Sequence, residues 1–150
     1  MKLYKIICLA CFCLLMYPAF SQIDCDTLSK EIVGELNTYS PRKFKRLKHE
    51  KKIEPIMVYN IATYFRQKSD TTYKQWYERY LFLANKRWHH GRVRDGGIWY
   101  SCMIFRMGKA YYFLGNYPQA LFWFIRSIKC NCPDDCVKDY YSEVVMRVKK

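Results

Sequence analysis

The chain has 150 residues, 18% of them aromatic, and a formal net charge of +13. That length supplies the core of one domain and argues against two. The excess of 26 Lys and Arg over 13 Asp and Glu selects for anionic partners: nucleic acid, anionic lipid or glycan, or an acidic protein face.

The N-terminus has the three parts of a secretory signal: Lys2 and Lys5, an apolar stretch over residues 6–17, and a small-residue exit at Ala19 and Ser21. The apolar run falls short of the roughly 20 residues that a bilayer span needs, and Pro18 interrupts it. Residues 1–21 are therefore expected to be a signal peptide cleaved after Ser21, leaving residues 22–150 as one domain without a transmembrane span. An uncleaved anchor and a lipid on Cys11 are the alternatives. The expected location is outside the inner membrane, periplasmic or outer-membrane associated, or secreted. Nucleic acid is the disfavoured polyanion in such a place.

Leu28, Ile32, Val33 and Leu36 recur at helical spacing behind Asp26 or Thr27 as a cap, and Ser40 and Pro41 are expected to end that helix. Residues 42–52 carry seven basic residues and one acid, with Phe44 and Leu47 interleaved. This run is either a solvated helix face or linker, or a grip for a polyanion through Arg42, Lys43, Lys45, Arg46 and Lys48. A helix is expected from near Pro55 to Arg66, apolar at Ile56, Tyr59 or Asn60, Thr63 and Tyr64, with a polar break at residues 69–72. Tyr73, Trp76, Tyr77, Tyr80, Leu81 and Ala84 form the clearest helical stripe, ending near His89 at a loop with three glycines. Two apolar helices over residues 98–114 and 118–129 flank Gly115, Asn116 and Tyr117. A last helix is expected from Pro133, with Val137, Tyr140, Tyr141, Val144, Val145 and Val148 on its buried side, and Asp134, Asp135 and Asp139 near its positive end. No stretch alternates as a strand. The predicted fold class is all-α, about six helices in antiparallel hairpins.

Cys8, Cys11 and Cys13 lie in the leader, and Cys25, Cys102, Cys130, Cys132 and Cys136 follow it. An oxidising compartment favours two disulfides with one thiol over, or one disulfide with three buried thiols. Cys130 or Cys132 can reach Cys136 across the turn at Pro133, and Cys25 can tie the first helix to the body. A zinc site of His89, His90 and the last three cysteines is disfavoured, because Cys-x-Cys-x-x-x-Cys is not a regular zinc spacing and export favours oxidation.

In residues 101–134 small residues stand at Gly108, Ala120 and Ser127, aromatics at Tyr111, Tyr117 and Phe124, and a reversal at Gly115. This pattern resembles a tetratricopeptide repeat, with Ile104 where the repeat usually has Trp and Ser127 where it has Ala. The resemblance implies a tight helical hairpin: Gly108 and Ala120 admit close approach, and the three aromatics fill the wedge. Residues 55–89 make at best a degenerate repeat, offset by 44 residues rather than about 34 and with Trp76 at a small-residue position.

There is no Gly-x-Ser-x-Gly, His-Glu-x-x-His or phosphate loop, so neither an enzyme nor a bound cofactor or metal is expected. Tyr112, Phe113, Phe122 and Trp123 lie off the packing stripe of their hairpin; they line a groove for a partner, or neighbouring helices cover them. The expected function is that of an exported, non-enzymatic protein whose repeat-like hairpins bind another protein, an acidic one, at the cell envelope. The alternatives are an immunity-type inhibitor of an envelope-directed toxin, and a binder of anionic envelope polymer through residues 42–52.

Overall fold

A computed structural model describes residues 28–89, 98–132, 134 and 136–149. Among these the fold is all-α, with helices α1 (Lys30–Asn37), α2 (Pro41–His49), α3 (Pro55–Gln67), α4 (Tyr73–His89), α5 (Ile98–Phe113), α6 (Tyr117–Lys129) and α7 (Cys136–Val148). The helix count exceeds the sequence expectation because the basic run is itself a helix. Consecutive partners pack closely: α3 with α4, α5 with α6, and α6 with α7, while α4 meets α5 and α1 lies on α3. None of the described helices is long and apolar enough to cross a membrane.

Ser40 and Pro41 explain the extra helix. The pair expected to stop one helix is equally a start, since Ser40 Oγ accepts the Lys43 N–H at 3.2 Å and Pro41 occupies the first turn, where its missing N–H costs nothing. The cap of α1 is likewise Ser29, whose Oγ accepts from Ile32 N at 3.3 Å, and the suggested caps Asp26 and Thr27 lie outside the described residues.

Three helices end in the same way. Gly115 at the end of α5 has φ +78°, its N–H donates to Tyr112 O at 2.9 Å, and Asn116 N donates to Tyr111 O at 2.9 Å. This pair of bonds satisfies carbonyls left over at a helix C-terminus and requires the left-handed conformation that glycine adopts at no steric cost. Ser69 after α3 and Asn131 after α6 repeat the arrangement at φ 55° and 51°. Asn116 then accepts from Gln119 N through its side chain and starts α6, so the α5–α6 reversal takes only three residues.

The hairpin α5–α6 is held by a close approach. A methyl added to Gly108 would lie 2.6 Å from two atoms of the fully buried Phe124 ring, so only hydrogen fits there. Ala120 and Ser127 are also fully buried, and Phe124 stacks on Tyr140 of α7 at 5.6 Å between centroids. The hairpin α3–α4 closes around Val58, Ile61, Ala62, Tyr77 and Ala84, all fully shielded, with the Thr63 hydroxyl 3.3 Å from that of Tyr77. Two residues depart from the expected apolar faces. Ile56 is 40% exposed because α3 buries the side carrying Val58, Ile61 and Ala62, and Val148 is 43% exposed at the last residue of α7, beyond the α6 contact.

Candidate functional site

The helix α2 converts the basic run into a placed surface. Phe44 and Leu47 face the core, and the Phe44 ring lies 4.9 Å from Phe65, 6.2 Å from Tyr64 and 6.5 Å from Trp76. With this side anchored, the helix period turns Arg42, Lys45, Arg46 and His49 to solvent. Positive charge at Arg46 and Lys48 also complements the negative end of the helix dipole, which helps a short helix with no acidic residue persist.

The five predicted polyanion contacts divide into two groups. Arg42, Lys45 and Arg46 are exposed, whereas Lys43 sits 3.2 Å above the Tyr39 ring centroid and Lys48 hydrogen-bonds Gln75 on α4. The latter pair is partly spent on fastening α2, so three of the five present an uncommitted charge.

Beyond the end of α2 the chain runs through Lys51 and Lys52 alongside α4 and encloses an open cleft of about 440 Å³. Five cations line it, Lys51, Lys52, Arg79, Lys86 and Arg87, against the single carboxylate of Glu54. Glu54 pairs with Arg87 at 2.7 Å. Arg79 is steadied by a 3.1 Å bond from Nη2 to the Glu50 carbonyl and lies 5.5 Å from the centroid of Phe82, a ring that is 59% exposed. Residues 79, 82, 83, 86 and 87 repeat at i, i+3, i+4, i+7 and i+8, a second face of α4 beside the apolar stripe. That periodicity was the available signal for the α4 contribution, which the reading of residues 42–52 alone missed.

The four predicted partner aromatics do not form one groove. Trp123 is buried, edge-on to Trp88 at 5.5 Å. Phe113 is half-buried, stacked on Tyr77 at 5.6 Å with the Arg66 guanidinium 4.0 Å above its ring. Tyr112 donates a 2.5 Å hydrogen bond to Glu143, which also pairs with Arg147 at 2.6 Å, and Arg147 in turn reaches the Tyr117 hydroxyl at 2.9 Å. Burial, followed by the bond to Glu143, pushes the Tyr112 hydroxyl well above its ordinary range. The contacts of Tyr112 and Arg147 clamp α7 on the α5–α6 hairpin, those of Phe113 and Trp123 join the hairpin to α4, and Phe122, 48% exposed under Arg126, is the most exposed ring of the four.

The cysteines also differ from the expected turn clamp. Cys102, Cys130 and Cys132 are free thiols, while Cys136 is disulfide-bonded, so it is closed on neither Cys130 nor Cys132. Cys132 instead lies near the thiol of Cys102 on α5. Burial raises the Cys102 pKa, and the neighbouring Cys132 and Asp134 raise it further, against a smaller opposing effect of Arg106. Asp134 also accepts from Cys136 N at 3.1 Å, the local role expected of an acid before a helix. Cys25, His90, Pro133 and Asp135 lie outside the described residues. Among the described residues no three His, Cys, Asp or Glu side chains gather as metal ligands.

A second cleft, of about 220 Å³, runs between α1, α3 and α5 past Asn60, Cys102, Arg106 and Lys109. Lys109 is 4% exposed with its ammonium 4.7 Å from the Phe105 centroid and 5.7 Å from that of Tyr59, so this cation is built into the core between rings. Comparison with family models, characterised proteins and solved structures finds no match to this chain.

Proposed function

We propose that this is an exported, non-enzymatic binding protein in which tetratricopeptide-like hairpins serve as a scaffold and the cationic surface of α2 recognises an acidic protein at the cell envelope. The observation that carries the reading is the docking of Phe44 and Leu47, which fixes Arg42, Lys45 and Arg46 outward on a helix without an acid of its own. Fixed cations lose less freedom on binding than cations on a mobile linker, so more of their attraction is realised as affinity. The excess of basic over acidic residues, which persists without Lys2 and Lys5 of the leader, adds long-range steering of an acidic partner. Gly108 against Phe124 and the left-handed Gly115 support the repeat-like character of the scaffold.

The outward position of the same three cations also favours a second reading, binding of an anionic envelope polymer. Both are tested by passing envelope extract over the immobilised mature protein and over an Arg42→Gln/Lys45→Gln/Arg46→Gln variant at low and moderate salt. The proposed function predicts one acidic protein retained at low salt and lost in the variant and with salt. Recovery of polymer without protein supports the second reading, and retention indifferent to the three charges contradicts both.

A further inference from the structure

We infer that the cleft between residues 51–55 and α4 is a docking groove for an acidic segment of polypeptide that carries apolar side chains between its carboxylates. The inference rests on the cationic surface being the binding surface and extends it to residues on a different helix. Charge complementarity names the sign of the occupant. Five cations face one carboxylate, and that carboxylate is already paired with Arg87. Arg79 is held in place from below by the Glu50 carbonyl, and its Nε is shielded from water without a hydrogen-bond acceptor among the described residues.

The floor names the kind of anion. Phe82 is 59% exposed amid these cations, and the half-buried Leu83 continues the apolar surface beside it. A bare polyanion leaves that surface wet, whereas leucine or phenylalanine side chains spaced between carboxylates cover it while the carboxylates meet Lys51, Lys52 and Lys86. The volume of about 440 Å³ is within the range of about 300–1,000 Å³ typical of ligand sites. The cleft is open rather than enclosed, as an extended segment requires.

The test measures anisotropy of a capped, dye-labelled peptide of alternating glutamate and leucine on the full mature protein, with dye-labelled inorganic polyphosphate as the second probe. Two triple variants remove the same charge from exposed positions: Lys51→Gln/Lys52→Gln/Lys86→Gln in the groove, and Arg42→Gln/Lys45→Gln/Arg46→Gln on α2. The groove triple is expected to weaken the peptide about tenfold or more, and the α2 triple by about two- to threefold through loss of general attraction. Phe82→Ala is expected to weaken the peptide about fivefold and to leave polyphosphate unchanged. Equal losses in the two triples overturn the groove and leave the wider cationic reading in place. Polyphosphate bound more tightly than peptide, or peptide binding indifferent to Phe82→Ala, overturns the polypeptide occupant. No binding of either probe by the wild type overturns the groove together with the cationic reading on which it rests.

Discussion

The two central hairpins solve the same packing problem differently. In α5–α6 a glycine faces a ring: Gly108 lets the fully buried Phe124 lie against the backbone of the facing helix. In α3–α4 the facing residue is large: Trp76 is only 4% exposed. The reason is α2, whose Phe44 lies 6.5 Å from the Trp76 ring, with Phe65 at the same distance on the other contact. The hairpin α5–α6 is covered at its crossing by α7, whose Tyr140 stacks on Phe124, and α3–α4 takes the basic helix α2 as its lid. Trp76 is thus part of the surface on which α2 docks, and that docking turns the cations of α2 outward.

Truncation at the two rings should separate these roles most sharply. Phe124→Ala is expected to cost about 3–5 kcal/mol and to lower the thermal midpoint of the whole domain. Phe44→Ala, at a half-buried ring, is expected to cost less and to act locally, raising amide exchange in α2 while α5 and α6 keep their protection. Loss of protection everywhere in the Phe44 variant would show that α2 is part of the folding core rather than a docked lid. Next in size, Gly108→Ala should destabilise by about 1–3 kcal/mol in denaturant titration, because overpacking against Phe124 outweighs the helix preference of alanine. A stabilised variant would mean that the hairpin opens readily.

Alkaline stability probes the tyrosines on both sides. Tyr80 is 1% exposed, and burial raises its pKa; Tyr112 is raised by burial and by Glu143. The folded state therefore holds these protons more tightly than the unfolded chain, whose tyrosines titrate near pH ~10. Stability contributed this way is fully present below that pH and is lost as pH climbs through and beyond it. Tyr80→Phe should flatten the alkaline fall in the thermal midpoint, while losing the 3.3 Å bond to Met103 O at neutral pH. Smallest are two gains. Ser127 Oγ is buried without a hydrogen-bond partner among the described residues, and Ser69 holds a left-handed φ of 55° without being glycine. Ser127→Ala and Ser69→Gly are each expected to stabilise by about 0.5–1 kcal/mol in the same titration.

Much of this architecture is legible in the sequence where local chemistry and packing agree. The stripe Tyr73, Trp76, Tyr77, Tyr80, Leu81 and Ala84 is buried apart from the half-exposed Tyr73 at its start, and Gly115 with Asn116 marks the three-residue reversal between α5 and α6. Legibility fails where one signal has two meanings. Ser-Pro ends one helix and starts another, and a basic run reads as linker until Phe44 and Leu47 find a surface to cover. The aromatic residues of α5 and α6 were ambiguous for the same reason: α4 and α7 cover most of them, and those covers are distant in sequence. The α4 side of the cleft was hidden because Arg79, Lys86 and Arg87 are charged, scattered along the helix and gathered only by its turn.

The most direct test of a fixed cationic surface is retention of the proposed acidic partner by Phe44→Ala, which keeps every charge and removes an anchor of α2. If placement matters, this variant loses the partner at a salt concentration where the wild type still holds it. Equal retention by the two proteins would show that charge alone suffices and would contradict a binding surface built by the fold.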